Sequence, residues 1–177
     1  MKGFPFNTGQ NLDINYHLSA SNSLDNSSIS LISKDGELIE LNLEGDVMQR
    51  NQLLKTTPNT QFRLVPDRNE KSFLIVRSEG NKYDVLDETG NILFSKDYFT
   101  EADILIQYYE FGAGRDLIVF TDTFSETLYI YDKSGNLLTG NPLRSAHEVS
   151  ILYSSANRSF QVFTSSGSNL ERYSFDY

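Results

Sequence analysis

A short polar turn returns in this chain at a fixed interval. "NLEGDV" fills residues 42–47, "LDETGN" 86–91 and "YDKSGN" 131–136, so the turn glycines fall at 45, 90 and 135, two equal steps of 45 residues. Their neighbours keep the same offset by residue class: Leu38, Tyr83 and Leu128; Leu41, Leu86 and Tyr131; Asn42, Asp87 and Asp132. A period of about 40–50 residues is the mark of a repeat architecture in which each unit is one supersecondary element. What each period contains decides which architecture it is.

Each period reads as four short strands. The second holds runs at 61–65, 72–76, 82–86 and 91–95, and the third at 104–111, 116–121, 127–132 and 136–140. The first holds 14–19, 28–33, 37–43 and 47–51; the last holds 148–154, 159–165 and 170–177 and stops before a fourth. These runs are rich in aromatic and β-branched residues and are bounded by Gly, Asn, Asp and Ser, as strands are. The polar turns are then hairpins joining third strand to fourth. Asp or Asn opens each with a side-chain to backbone hydrogen bond, and Gly takes the positive φ that a Cβ would penalise. A helical repeat has its best window at "DYFTEADILIQYY", 97–109, but that window carries no continuous 3.6-residue stripe and is rich in poor helix formers.

The missing strand has a counterpart at the other end. "TGNPLRSAHEVSILYS" at 139–154 and "KGFPFNTGQNLDINYHLS" at 2–19 follow one plan, with Gly140 and Pro142 matching Gly3 and Pro5. The expected domain is therefore a single one over 1–177, with units at 8–53, 54–98, 99–143 and 144–177 plus 1–7. Residues 1–7 would add a strand to the last sheet and protect an edge that otherwise templates aggregation. Blades of this kind resemble β-propellers, whose radial four-stranded sheets close on a terminal strand. "GFPF" and the spacing from "YDKSGN" to "GNPL" are similar to the bacterial cell-envelope propellers of the FG-GAP and quinoprotein-type (PQQ-like) repeat families. The expected fold class is thus all-β, a β-propeller of four four-stranded antiparallel blades, with half of a larger propeller as the alternative. A monomeric ring, a strand-exchanged homodimer and a piece of a longer chain each satisfy closure.

That resemblance implies a bacterial envelope setting, periplasmic or extracellular, and a role in binding a protein partner or the remainder of a larger chain. It also has departures. The chain lacks an Asp-x-Asp-x-Asp-Gly calcium loop and has no Trp for a docking motif, so neither calcium nor a quinone is carried over and no cofactor is expected. A carbohydrate-binding or hydrolytic propeller, with its ligand at the channel mouth, is the alternative function.

Composition narrows the classes further. With 15 Lys and Arg against 24 Asp and Glu, the formal charge of −9 opposes phosphate backbones and anionic lipid, so nucleic acid is not an expected partner. The 12 Phe and 10 Tyr supply enough low-entropy apolar area for a packed core. There is no Cys, which removes disulfides, thiolate nucleophiles and cysteine metal sites. Apolar runs such as "FLIV" at 73–76 fall far short of the roughly 20 residues of a membrane helix, so no membrane insertion is expected.

Few residues invite chemistry. His17 and His147 are the two histidines and occupy non-equivalent places; His17 reads as a partly buried strand residue, His147 as an exposed loop residue, and metal spacing is lacking. "FGAGRD" at 111–116 offers two glycines to an anion but lacks the rest of a phosphate loop and reads as a hairpin. Asp87 and Asp132 read as turn residues of neighbouring blades. No catalytic, cofactor or metal residue is expected. Propeller geometry gathers the fourth-to-first and second-to-third strand connections on one face, which here would carry Tyr98, Phe99, Phe124, Arg144 and His147. Aromatic side chains beside an arginine are suited to protein or sugar contact, unless the rings pack between blades.

Overall fold

The computed structural model describes residues 6–7, 9, 11–21, 23, 26–100 and 102–176. They form an all-β protein of four antiparallel sheets, each a simple up-and-down meander, consistent with a propeller-like fold. The first sheet contains β1 (Leu12–Ser19), β2 (Ser28–Ser33), β3 (Glu37–Asn42) and β4 (Val47–Gln52), and the second β5 (Gln61–Pro66), β6 (Phe73–Glu79), β7 (Lys82–Leu86) and β8 (Ile92–Asp97). The third has β9 (Ile104–Glu110), β10 (Asp116–Asp122), β11 (Thr127–Tyr131) and β12 (Leu143–Arg144); the fourth has β13 (Ser150–Ser154), β14 (Ser159–Ser166) and β15 (Asn169–Asp176). The chain divides into two compact units, Met1–Asp97 and Tyr98–Tyr177, of two sheets each. The helical window at 97–109 contains no helix among its described residues, and its second half belongs to β9.

The repeated turn is built the same way three times. Asn42, Asp87 and Asp132 each accept, through Oδ1, the N–H groups of the residues two and four positions on, at 2.8–3.0 Å. Each turn glycine donates its N–H back to the carbonyl of that residue, at 3.0–3.1 Å, with φ of 88° at Gly45, 91° at Gly90 and 80° at Gly135. The turn closes on an amide–carboxylate pair: Asn91 donates to Asp87 and Asn136 to Asp132, whereas in the first repeat the two types change places and Asn42 donates to Asp46. The swap preserves one donor and one acceptor, so the geometry survives it. Burial by itself would raise the Asp132 carboxyl, but the bonds from Asn136, Ser134 and Gly135 outweigh it and hold the group below the usual carboxylate value.

Beyond the turn, the pairing slips between Glu40 and Leu41, and again between Val85 and Leu86, leaving a bulge at equivalent places. The third repeat departs further. A continuous fourth strand at 136–140 is expected there, but Tyr131 pairs Leu137 in an isolated bridge and the ladder resumes with Leu143 and Arg144 opposite Leu128 and Thr127. Between them Gly140 takes φ 72°, Thr139 Oγ1 donates to the Asn141 carbonyl at 2.6 Å, and Pro142 has no N–H to give. The expected closing strand at 1–7 lies, except for Phe6 and Asn7, outside the described residues.

Within each unit the two sheets share a core. In the first, Ile32, Leu53, Phe62, Leu64, Phe73, Ile75 and Leu86 are buried together. In the second, Phe160, Val162, Ile151 and Val149 meet Leu117, Val119, Leu128, Ile130 and Tyr109. The first strands of neighbouring sheets are also joined through side chains. Asp13 accepts the Leu64 N–H at 3.0 Å and Asn15 donates to the Leu64 carbonyl at 3.1 Å. In the other unit, buried Gln107 does both jobs: its Oε1 accepts the Val149 N–H at 2.8 Å and its Nε2 donates to the Val149 carbonyl at 3.0 Å, a carbonyl that also accepts from the Tyr109 hydroxyl. Replacing Gln107 by Leu leaves the buried Val149 N–H without this partner, while the carbonyl keeps the bond from Tyr109. The expected loss is about 1–3 kcal/mol of unfolding free energy, read by urea denaturation; an unchanged midpoint would show that these bonds do not hold the sheets together.

Candidate functional site

One end of the Tyr98–Tyr177 unit brings together most of the residues singled out from the sequence. Its centre is the β10–β11 loop, which carries two carboxylates with different duties. Asp122 accepts from Thr100 Oγ1 at 2.8 Å, from the Phe124 N–H at 2.9 Å and from Ser125 Oγ at 2.8 Å. The loop is thereby tied to the segment preceding β9, and Phe99 and Phe124 flank one anchor. Phe99 is 89% and Phe124 66% exposed. Burial would raise the Asp122 carboxyl, but bonds from Ser125, Thr100 and the loop backbone outweigh it and keep the group ionised.

Glu126 holds the other side. Its Oε2 accepts from Arg144 Nε at 2.9 Å, from the second guanidinium nitrogen at 2.7 Å and from Ser166 Oγ at 2.6 Å. The Ser166 bond, then the Arg144 pair, pull its carboxyl below the usual range, and the same pair raises the arginine. Its backbone lies at φ 53°, a left-handed conformation that a side chain disfavours by roughly 1–2 kcal/mol. The Glu126 carbonyl also accepts the Ser145 N–H at 3.0 Å, and Ser145 Oγ donates to the His147 carbonyl at 2.8 Å. Arg144, at the end of β12, and His147, on the connection that follows it, are both exposed and fastened to the loop, whereas the sequence pattern places both on the connection.

Tyr98 is placed differently from the other four. It is 7% exposed, with its ring 5.2 Å from both Phe120 and Tyr129 and its hydroxyl donating to Tyr131 Oη at 3.0 Å. Its ring packs inside the unit and takes no part in the exposed surface. The sequence reading missed Asp122, Glu126, Thr100 and Ser166. A signal did exist, because "TDTFSET" places an Asp, four Ser or Thr and a Glu around the exposed Phe124, the composition of a loop that bonds to itself.

The arrangement is suited to holding a surface and poorly suited to proton transfer. Both carboxylates are saturated with donors and pushed toward the charged form, the opposite of what a general acid or a base poised near neutrality needs. Among the described residues no group of three His, Asp or Glu side chains is placed to hold a metal ion. "FGAGRD" is the β9–β10 hairpin loop, closed by the Phe111 N–H to the Arg115 carbonyl at 3.0 Å, and Asp87 and Asp132 are turn anchors. Among the described residues no helix is long and apolar enough to cross a membrane.

Comparison with known proteins gives likeness of fold alone. No family model and no curated protein matches the chain. Among solved structures, it is similar to BamB from Moraxella catarrhalis at 12% identity and a TM-score of 0.41, over 83% of this chain and 39% of that one. It is similar to BBS1N, solved in complex with ARL6DN, at 17% identity and a TM-score of 0.49, over 91% of this chain and 50% of that one. It is also similar to the Dos1 propeller, at 15% identity and a TM-score of 0.40, over 94% of this chain and 47% of that one. The chain spans half or less of the length of each of these three structures. The FG-GAP and quinoprotein-type likeness rests on the sequence spacing.

Burial separates the aromatics of this end into two kinds. Tyr98→Ala should cost about 3–5 kcal/mol of stability, as for other buried aromatics, while Phe99→Ala combined with Phe124→Ala should stay within about 0.5 kcal/mol of wild type. Chemical denaturation of the two variants checks this, and a large loss in the double variant would mean that Phe99 and Phe124 are packing residues.

Proposed function

We propose that this chain is a non-catalytic interaction module whose four sheets are blades of a propeller-type array, and that it meets a protein partner through the β10–β11 loop end. Phe99 and Phe124 supply the apolar anchors, with Arg144 and His147 at the polar rim. The observation that carries this reading is the exposure of two phenylalanines on segments tied to one buried-edge carboxylate, Asp122. Large rings held rigid before binding lose little entropy when they are covered, which is how a few residues come to dominate an interface.

A photo-crosslinking residue placed at 99 and, separately, at 124 should capture the same protein from cells that make the chain. The same residue at Leu54, 79% exposed on the other unit, should not. Capture at 54 alone, or different proteins from 99 and 124, would count against a shared contact surface. The single-chain arrangement predicts the mass of one chain in sedimentation equilibrium; a stable species of twice that mass would replace it with the strand-exchanged pair.

A further inference from the structure

In the Met1–Asp97 unit, the face of the β1–β4 sheet that meets the second sheet changes character along its strands. At one level Ile32 pairs with Leu38, and both pack against the core that contains Phe62, Phe73 and Ile75. Alternate residues of a strand share a face, so the next level of the same face is a single row across all four strands. There His17 stands opposite Ser30, Ser30 opposite Glu40, and Glu40 opposite Gln49. Apolar packing gives way within one pleat to four polar side chains.

The repeat shows that this is a departure. Glu40 and Val85 each come just before the bulge that follows their polar turn, and Ile130 stands another 45 residues on. From the second strand on, the matching row in the second sheet is Val76, Val85 and Phe94, none more than 8% exposed, and in the third Val119 and Ile130, both fully buried; the first-strand place is polar in all three sheets, held by His17, Arg63 and Gln107. Where its siblings put core, the first repeat puts a hydroxyl, a carboxylate and an amide. Such a row forgoes the stabilisation that burying aliphatic side chains contributes.

The row opens into a cleft of about 350 Å³, at the lower end of the ~300–1,000 Å³ typical of small-molecule sites. Leu38 and Phe73 form its apolar floor, the Phe73 ring lying 5.3 Å from His17. Lys71 and the turn residues Glu88 and Thr89 face the row from the second sheet, and Asn51 extends it along β4. Two carboxylates disfavour an anionic ligand, as does the chain's charge of −9. The amides and hydroxyls both donate and accept, and the floor is apolar. Burial lowers the His17 imidazole, although Glu88, Asp67 and Glu70 oppose it, so the ring is neutral at pH 7 and also offers one donor and one acceptor. A ring bearing several hydroxyls on its edge and C–H groups on its face matches every part of this lining.

We propose that this cleft binds a neutral pyranose unit, with Glu40, Gln49 and Asn51 taking its hydroxyls and Phe73 lying under its apolar face. The site lies in the other unit from the Phe99–Phe124 end and does not depend on the protein-contact reading. Isothermal titration of the whole chain with maltotriose, cellotriose, triacetylchitotriose and, as the charged counterpart, trigalacturonic acid tests it. At least one neutral trisaccharide should bind, trigalacturonic acid should not, and Glu40→Ala and Gln49→Ala should each weaken binding about tenfold or more, as expected for a lost hydrogen bond to a charged group or to an amide that the sugar covers. Gln49 is exposed, so its variant keeps the test alive if Glu40→Ala fails to fold. The Phe99→Ala, Phe124→Ala double variant should bind as wild type. No binding by any neutral sugar, stronger binding of the acid, or binding indifferent to both cleft variants would overturn the proposal.

Discussion

Every sheet of an open β-array ends on a strand whose outer N–H and C=O groups need partners, and this chain meets that need at its first strands with side chains. Asp13 and Asn15 bracket the backbone of Leu64, and Gln107 brackets that of Val149. The two solutions differ in residue type yet present the same thing to the neighbouring strand, one acceptor and one donor spaced like a peptide group. Unpaired backbone groups at such positions would each cost about 1–3 kcal/mol. With them satisfied, neighbouring sheets can approach closely enough for the cores around Ile75 and Phe160 to form.

The other end of each meander depends on the polar turns and the bulges after them. The Asx-type bonds fix where the chain reverses, and the slip at Glu40/Leu41 and Val85/Leu86 sets which face each fourth strand presents. In the third repeat the bulge has grown into a loop at 138–142, so the fourth strand is short and displaced toward Arg144. That displacement is what brings Arg144 opposite Thr127 and within reach of Glu126. A local loosening of one strand thus assembles the polar network beneath the exposed phenylalanines.

The two ends of the molecule's chemistry follow one logic. A repeated sheet gives every unit the same scaffold, and individuality appears where one copy breaks the pattern at a position the others use for packing. The row from His17 to Gln49 is such a break; Glu126 is left-handed like Gly36 at the equivalent place before β3, but it carries a side chain there, and its carboxylate and carbonyl are both engaged. Strain and polar substitution both lower stability, and cores that are otherwise continuous offset them.

The sequence by itself determined the three turns, their equal spacing and the strands apart from the fourth of the third repeat, because alternation, turn chemistry and glycine φ are local properties that a 45-residue period repeats in plain view. It also marked Asp87 and Asp132 as turn residues and Phe99, Phe124 and His147 as lying on connections, whereas Arg144, expected on a connection, lies in β12. What it left undecided is which side chains meet across sheets. Tyr98 and Phe99 are adjacent aromatics in one segment, yet one is buried against Phe120 and the other almost fully exposed, a choice made by residues more than 20 positions away. The polar row at Ser30, Glu40 and Gln49 is likewise scattered along 28–51 and becomes one surface when the strands pair in register. Register and sheet-to-sheet packing are long-range interactions, and they alone decide whether a polar residue lies in solvent or lines a cleft.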